Sequence, residues 1–135
     1  MYRNILVPVA PDHGGHTDRA ISIAKAIRDE GGTITLLTVS EQIPAYVSQY
    51  LPAGQIEKNR AEAKARLEED AKGAEGMKVE VGTGNAGVVI AEYADENDID
   101  LIVIASHRPG LQDYLLGSTA ARVVRHAGCS VHVVR

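Results

Sequence analysis

Five short runs rich in β-branched residues, each separated from the next by a stretch of different periodicity, constrain this chain more than any other feature. The runs are Ile5-Leu6-Val7-Pro8-Val9, Thr33 to Val39, Val79-Glu80-Val81, Leu101 to Ala105 and Val131 to Val134. Several are continuous apolar stretches, as strands covered on both faces must be. Strands alternating with helices predict an α/β fold with a parallel sheet and helices on both faces.

Between the first two runs, Ala20, Ile21, Ile23, Ala24 and Ile27 recur at helical spacing, with Thr17 as the expected N-cap and Gly31-Gly32 as the expected stop. The stretch from Ile56 to Lys72 is rich in Ala, Glu, Lys and Arg, and its apolar face holds only Ile56, Leu67 and alanines. It predicts a largely solvated helix with a thin core stripe. A third helix is read over Val88, Val89, Ala91, Glu92 and Ala94, and a fourth over Ala120, Ala121, Val123, Val124 and Ala127. The longest non-repetitive connection, Glu41 to Gln55, carries Pro44, Tyr46, Tyr50, Pro52 and Gly54. Right-handed crossovers give a strand order of 3-2-1-4-5, which opens a crevice at the carboxyl ends of strands 1 and 4.

At 135 residues the chain has the length of one domain, assigned to residues 1–135, and its 44% hydrophobic and 24% charged content suits a soluble core. A net charge of −4 gives no global reason to bind nucleic acid. The amino end enters a strand at once and no apolar run approaches a bilayer span. The expectation is a cytoplasmic protein without membrane insertion. The single cysteine, Cys129, is expected to pack as a small hydrophobe.

The last third combines a buried strand, the polar run Ser106-His107-Arg108-Pro109-Gly110, a helix opened by Gly117-Ser118-Thr119 and a final strand. A helix that starts at the carboxyl edge of a parallel sheet aims unpaired N–H groups and a positive dipole end at any anion in the crevice. Gly117 admits a phosphate close to the backbone, and Ser118 and Thr119 add hydroxyls.

Neither a P-loop nor a Gly-x-Gly-x-x-Gly fingerprint is present, and Gly82-Thr83-Gly84 reads as a tight turn into the third helix. His13 and His16 flank two glycines without fixed ligand geometry, so no metal site is assigned there. His126 and His132 are read as partly buried helix-end and strand residues. His13-Gly14-Gly15-His16 also matches the His-x-Gly-His motif of nucleotidylyltransferases, and Ser118 to Arg122 resembles their Ser/Thr-x-x-Arg element. This keeps phosphoryl-transfer chemistry open as an alternative.

Ile104 to Pro109, Leu115 to Ser118 and Val123 to Val131, together with Asn4 to Val9 at the other end, resemble the signature of the universal stress protein (UspA) family. ATP-binding members carry Gly-x2-Gly-x9-Gly-Ser/Thr after strand 4. Here Ala105 and Arg108 replace the leading glycines, eight residues separate Arg108 from Gly117, and Ala10 stands in place of a common aspartate. Ser-His-Arg-Pro followed by Tyr-Leu-Leu-Gly-Ser is similar to the UspF-like branch, including the small stress proteins linked to osmolyte TRAP transporters. Arg108 offers charge and fixed donors where glycines are lost.

The resemblance implies an adenine-nucleotide α-hydrolase-like fold and a non-enzymatic, ATP-dependent regulatory or sensor function in stress response. Adenine and ribose would contact Pro8, Val9, Ala10, Val39 and Ile104. Phosphates, with Mg as a possible bridge, would lie against Ala105, Ser106, His107, Arg108, Gly117, Ser118 and Thr119. No catalytic residue is assigned. The strand from Ser130 to Arg135 would form a homodimer, with the exposed second helix available for further assembly, and a transporter or other regulatory protein is the implied partner. The missing glycines also leave open a nucleotide-free interaction module.

Overall fold

The computed structural model describes residues 1–10, 16–40, 42–106 and 116–135. Their elements are β1 (Tyr2–Pro8), α1 (His16–Ile27), β2 (Arg28–Ser40), α2 (Ala45–Ser48), α3 (Gln55–Ala71), β3 (Met77–Thr83), α4 (Ala86–Glu96), β4 (Leu101–Ala105), α5 (Ser118–His126) and β5 (Ser130–Val134). All pairings are parallel, in the order β3-β2-β1-β4-β5, as the alternating pattern predicts.

Successive side chains of a strand point to opposite faces, and the sheet is covered on both. Ile5, Val7, Ile34, Leu36, Leu101 and Val103 pack with Ala20, Ile21 and Ala24 of α1 and Leu67 and Ala71 of α3. Leu6, Leu37, Ile102 and Ile104 pack on the other face with Ile90 and Ala94 of α4 and Ala120 and Val123 of α5. Two covered faces explain why these strands read as unbroken apolar runs.

Polar contacts at the amino edge fix β1 beside β4. The Asp100 carboxylate accepts from the backbone N–H of Arg3 at 2.9 Å and of Asn4 at 3.1 Å. Asn4 in turn donates its side-chain amide to the carbonyls of Asn97 and Asp98, while Asp100 N–H donates to Asn4 O. Locking the strands at this end sets their carboxyl ends side by side at the other.

The first helix departs from its sequence reading at both ends. Thr17 is a buried residue inside α1 rather than its N-cap. Gly31 and Gly32 do not stop the helix, which ends at Ile27; they lie within β2. There the register jumps from Tyr2 opposite Arg28 to Asn4 opposite Thr33, so β2 carries three extra residues in an irregularity. Gly31 has φ +77°, and a Cβ on Gly32 would sit 3.0 Å from the carbonyl oxygens of Arg3 and Asp29, which accounts for both glycines.

The long connection contains the four-residue α2, too short to show as helical periodicity. In α3 only Leu67 and Ala71 are buried, and Ile56 is 42% exposed, so the core stripe is thinner still than the sequence suggests. Gly82 and Thr83 are not a turn but the last two residues of β3, paired with Val39 and Ser40, and only Gly84 lies between the strand and the Asn85 N-cap of α4. Gly84 N–H donates to Ser40 O, and the Asn85 side chain caps α4 by accepting from Val88 N–H at 3.2 Å. His126 and His132 are exposed, not partly buried. His126 occupies the last turn of α5, and His132 lies on the edge strand β5.

Candidate functional site

The ladder between β1 and β2 continues past the end of β1, where Val9 N–H donates to Leu37 O at 2.8 Å. Half-buried Pro8 and exposed Ala10 bracket Val9, whose side chain is buried beneath α1. Val39 and Ile104 are buried on the opposite face, among residues of α4 and α5. Ala105 ends β4 half-buried, and Ser106 is buried with its N–H donated to Val134 O at 3.0 Å. The candidate contacts on β1, β2 and β4 thus share one sheet edge, and the side chains of Val9, Val39 and Ile104 serve the core there.

Helix α5 begins at the same edge because it connects two parallel strands. Gly117 is its N-cap, buried and extended at φ −62° and ψ 155°, and as a glycine it brings no side chain to cap the helix. The Gly117 carbonyl accepts from Ala121 N–H. Ser118 is exposed and Thr119 half-buried. A helix start whose N-cap has no side chain presents its backbone donors at this edge. His107 and Arg108 lie outside the described residues, as do His13, Gly14 and Gly15 of the His-x-Gly-His run.

Cys129 is half-buried beside the α4 and α5 core, and burial first, then the carboxylates of Asp95 and Asp100, push its thiol up. A thiol held protonated is a poor nucleophile, consistent with its reading as a packed hydrophobe. Among the described residues no group of three His, Cys, Asp or Glu is gathered to hold a metal, and no helix is long and apolar enough to cross a membrane.

Two features escaped the sequence reading because threonines and an arginine in strong local elements look like ordinary strand and helix residues. Arg60 of α3 donates to Val81 O at 3.0 Å and to Thr83 Oγ1 at 2.5 Å, fastening α3 to the carboxyl end of β3. Buried Thr35 hydrogen-bonds Tyr93, whose phenol is pushed up by burial and by the Glu80 carboxylate and lowered by Thr35. Thr38, three residues further along β2 and equally buried, has no such partner among the described residues.

These elements define a doubly wound α/β protein whose crevice lies where strand order reverses between β1 and β4. The family model described as the universal stress protein family matches residues 1–135. Universal stress protein G of Salmonella typhimurium is 32% identical over 145 residues covering all of both chains. The chain belongs to the universal stress protein family. Among solved structures, the universal stress protein UspA from Lactobacillus plantarum aligns with a TM-score of 0.79 at 28% identity, covering 99% of this chain and 98% of its own. A universal stress protein in complex with cAMP shares the fold, with a TM-score of 0.65 at 22% identity over 99% of this chain and 97% of its own. The fold is the adenine-nucleotide α-hydrolase-like one of these neighbours.

Proposed function

We propose that the chain is an ATP-binding regulatory module of the stress response, working through occupancy rather than turnover. The observation that carries this reading is the glycine-led start of α5 at Gly117, Ser118 and Thr119, on the same sheet edge as the ends of β1 and β4. Phosphates would lie there and against Ala105 to Arg108, with the base toward Pro8, Val9, Ala10 and Val39. The cAMP-bound neighbour supports an adenine nucleotide in this fold. Mg would accompany the phosphates and offset their charge. The UspF-like character, a cytoplasmic setting and a link to osmolyte transport belong to the same reading and rest on the Ser106 to Pro109 and Tyr114 to Ser118 runs.

Protein purified without added ligand and then denatured should release ATP at close to one equivalent per chain, identified by mass spectrometry. No nucleotide released, together with no heat of ATP binding by calorimetry, would leave only an interaction module. Pyrophosphate exchange abolished by His13→Ala would instead establish the transferase alternative.

Homodimerisation through β5 is part of the proposal. With Ala105 paired to Val134 and Ser106 N–H bonded to Val134 O, the backbone groups of Ser130, His132 and Val134 face β4. Those of Val131 and Val133 face outward from a sheet edge, where an open apolar strand invites pairing. Val133→Pro removes one outward N–H without touching the ladder to β4. Sedimentation should give a dimer for the wild type and a monomer for Val133→Pro; a variant that stays dimeric places the interface elsewhere.

A further inference from the structure

Two backbone bonds fix which groups of β3 look outward from the sheet. Ile34 N–H donates to Gly76 O at 2.8 Å just before the strand, and Gly84 N–H donates to Ser40 O at 2.9 Å just after it. Backbone groups alternate sides along a strand, and the register with β2 runs unbroken from Met77 to Thr83, so Lys78, Glu80 and Gly82 face β2. Met77, Val79, Val81 and Thr83 therefore turn theirs outward, at the sheet edge opposite β5. Met77 N–H is taken up by Ala74 O at 3.3 Å, and Val81 O by Arg60 of α3 at 3.0 Å. The N–H and C=O of Val79 and the N–H of Val81 have no partner among the described residues.

The side chains of this edge match a second copy of the same strand. A two-fold axis through Val79 sets two β3 strands antiparallel, with Val79 opposite Val79, Met77 opposite Val81 and Lys78 opposite Glu80. The outward-facing residues then form the hydrogen-bonded pairs. Lys78 and Glu80, both exposed and on one face of the strand, fall in the closer non-hydrogen-bonded pairs, where opposite charges attract and like charges repel. Sliding the partner by two residues one way sets Lys78 against Lys78, and the other way Glu80 against Glu80. Of the registers that bring these charges face to face, only the one about Val79 opposes unlike signs.

We infer that the β3 edge is an interaction surface for a second copy of this chain, paired antiparallel about Val79, and that Arg60 holds it shut. Because Val81 O points away from the sheet, the guanidinium bonded to it stands where the second copy's Met77 must come. Its other bond, to Thr83 Oγ1, keeps it there. Pairing requires the arginine to swing off, which exchanges those two bonds for a ladder between strands. A lysine on an edge strand ordinarily guards against pairing with any other strand; placed with a glutamate about Val79, it admits its own copy and rejects the rest. This surface lies at the edge opposite β5 and is independent of the nucleotide reading.

The test opens the latch with Arg60→Met, which keeps the stem and loses the donors, and follows carbodiimide linkage of Lys78 to Glu80 in a mixture of ordinary and isotope-labelled chains. Mass spectrometry then separates links between chains from links within one. The between-chain link should rise about tenfold from wild type to Arg60→Met. Thr83→Val, which removes one anchor of Arg60 at an exposed position, should raise it less. In the Val133→Pro background, where pairing through β5 is removed, sedimentation should show Arg60→Met as a dimer and Arg60→Met with Lys78→Glu as a monomer. Adding Glu80→Lys to that variant exchanges the two signs and should restore the dimer. No between-chain link in either Arg60→Met or Thr83→Val would overturn the surface, and so would a dimer that Lys78→Glu leaves intact. Equal link yields in wild type and both variants would overturn the latch. If Val133→Pro alone sediments as a dimer, the β5 reading fails while the link yields still decide this one.

Discussion

Leu6→Ala is expected to lower the unfolding free energy by about 3 kcal/mol and the melting temperature by roughly 10 °C. Leu6 is fully buried on β1, the central strand, where it stands opposite Thr35 of β2 and Ile102 of β4. Its side chain belongs to the face covered by α4 and α5, so shortening it removes contacts from the sheet and from the helices above. With paired strands on both sides, β1 cannot collapse into the space left behind, and the cavity penalty adds to the lost transfer energy. The contrasting substitution is Ile56→Ala on α3, where the side chain is 42% exposed; it should change stability by less than about 0.5 kcal/mol. Chemical denaturation of both variants, with the denaturant slope unchanged, measures the two effects. Comparable losses would show that α3 shields a core its sequence periodicity suggested and the side-chain burial does not contain.

That pair of substitutions also marks where sequence reasoning succeeds and where it stops. Strand order and the two-faced sheet are legible because five β-branched runs separated by helical stretches admit few chain paths, and parallel strands must be covered twice. Leu101 to Ala105 coincides with β4 because its five residues are all apolar and bounded by an aspartate and a serine. Local endings are less legible. Gly31-Gly32 carries the same signature in a helix stop as in a strand irregularity, and only the partner strand, with Tyr2 opposite Arg28 and Asn4 opposite Thr33, distinguishes them. Ile56 and Leu67 fall on one helical face, yet a sheet edge covers only part of that face. The Gly117 to Thr119 helix start at the candidate site is readable from residue types, whereas the unpaired hydroxyl of Thr38, on the other face of the sheet, is not. Its distinction from Thr35 depends on a tyrosine 58 positions away in sequence, a relation that no local pattern encodes.

Arg108→Ala is expected to weaken ATP binding at least tenfold, in keeping with the about 1.5–3 kcal/mol carried by hydrogen bonds to charged groups. The residue follows Ser106 by two positions, and Ser106 is tied to β5 through its N–H to Val134 O, so the chain leaves the sheet at the candidate phosphate crevice. Two leading glycines of the stress-protein motif are replaced here by Ala105 and Arg108, which reduces the freedom of backbone to approach a phosphate and supplies a guanidinium instead. A charge-based contact has consequences that a backbone contact lacks. Arg108→Lys, which keeps the charge and loses the planar fork, should fall between wild type and alanine, and added salt should weaken the wild type more than Arg108→Ala. Ligand-induced stabilisation gives an independent readout, since at a fixed excess of ATP each tenfold loss in affinity removes about 1.4 kcal/mol of the stabilisation that binding provides. Arg108→Ala should weaken inorganic triphosphate along with ATP, since the contact it removes is to the phosphates. Unchanged ATP affinity in Arg108→Ala would remove the arginine from phosphate recognition and leave that role to the helix start at Gly117 and to Ser106 and Ser118, whose own substitutions would then have to carry the loss.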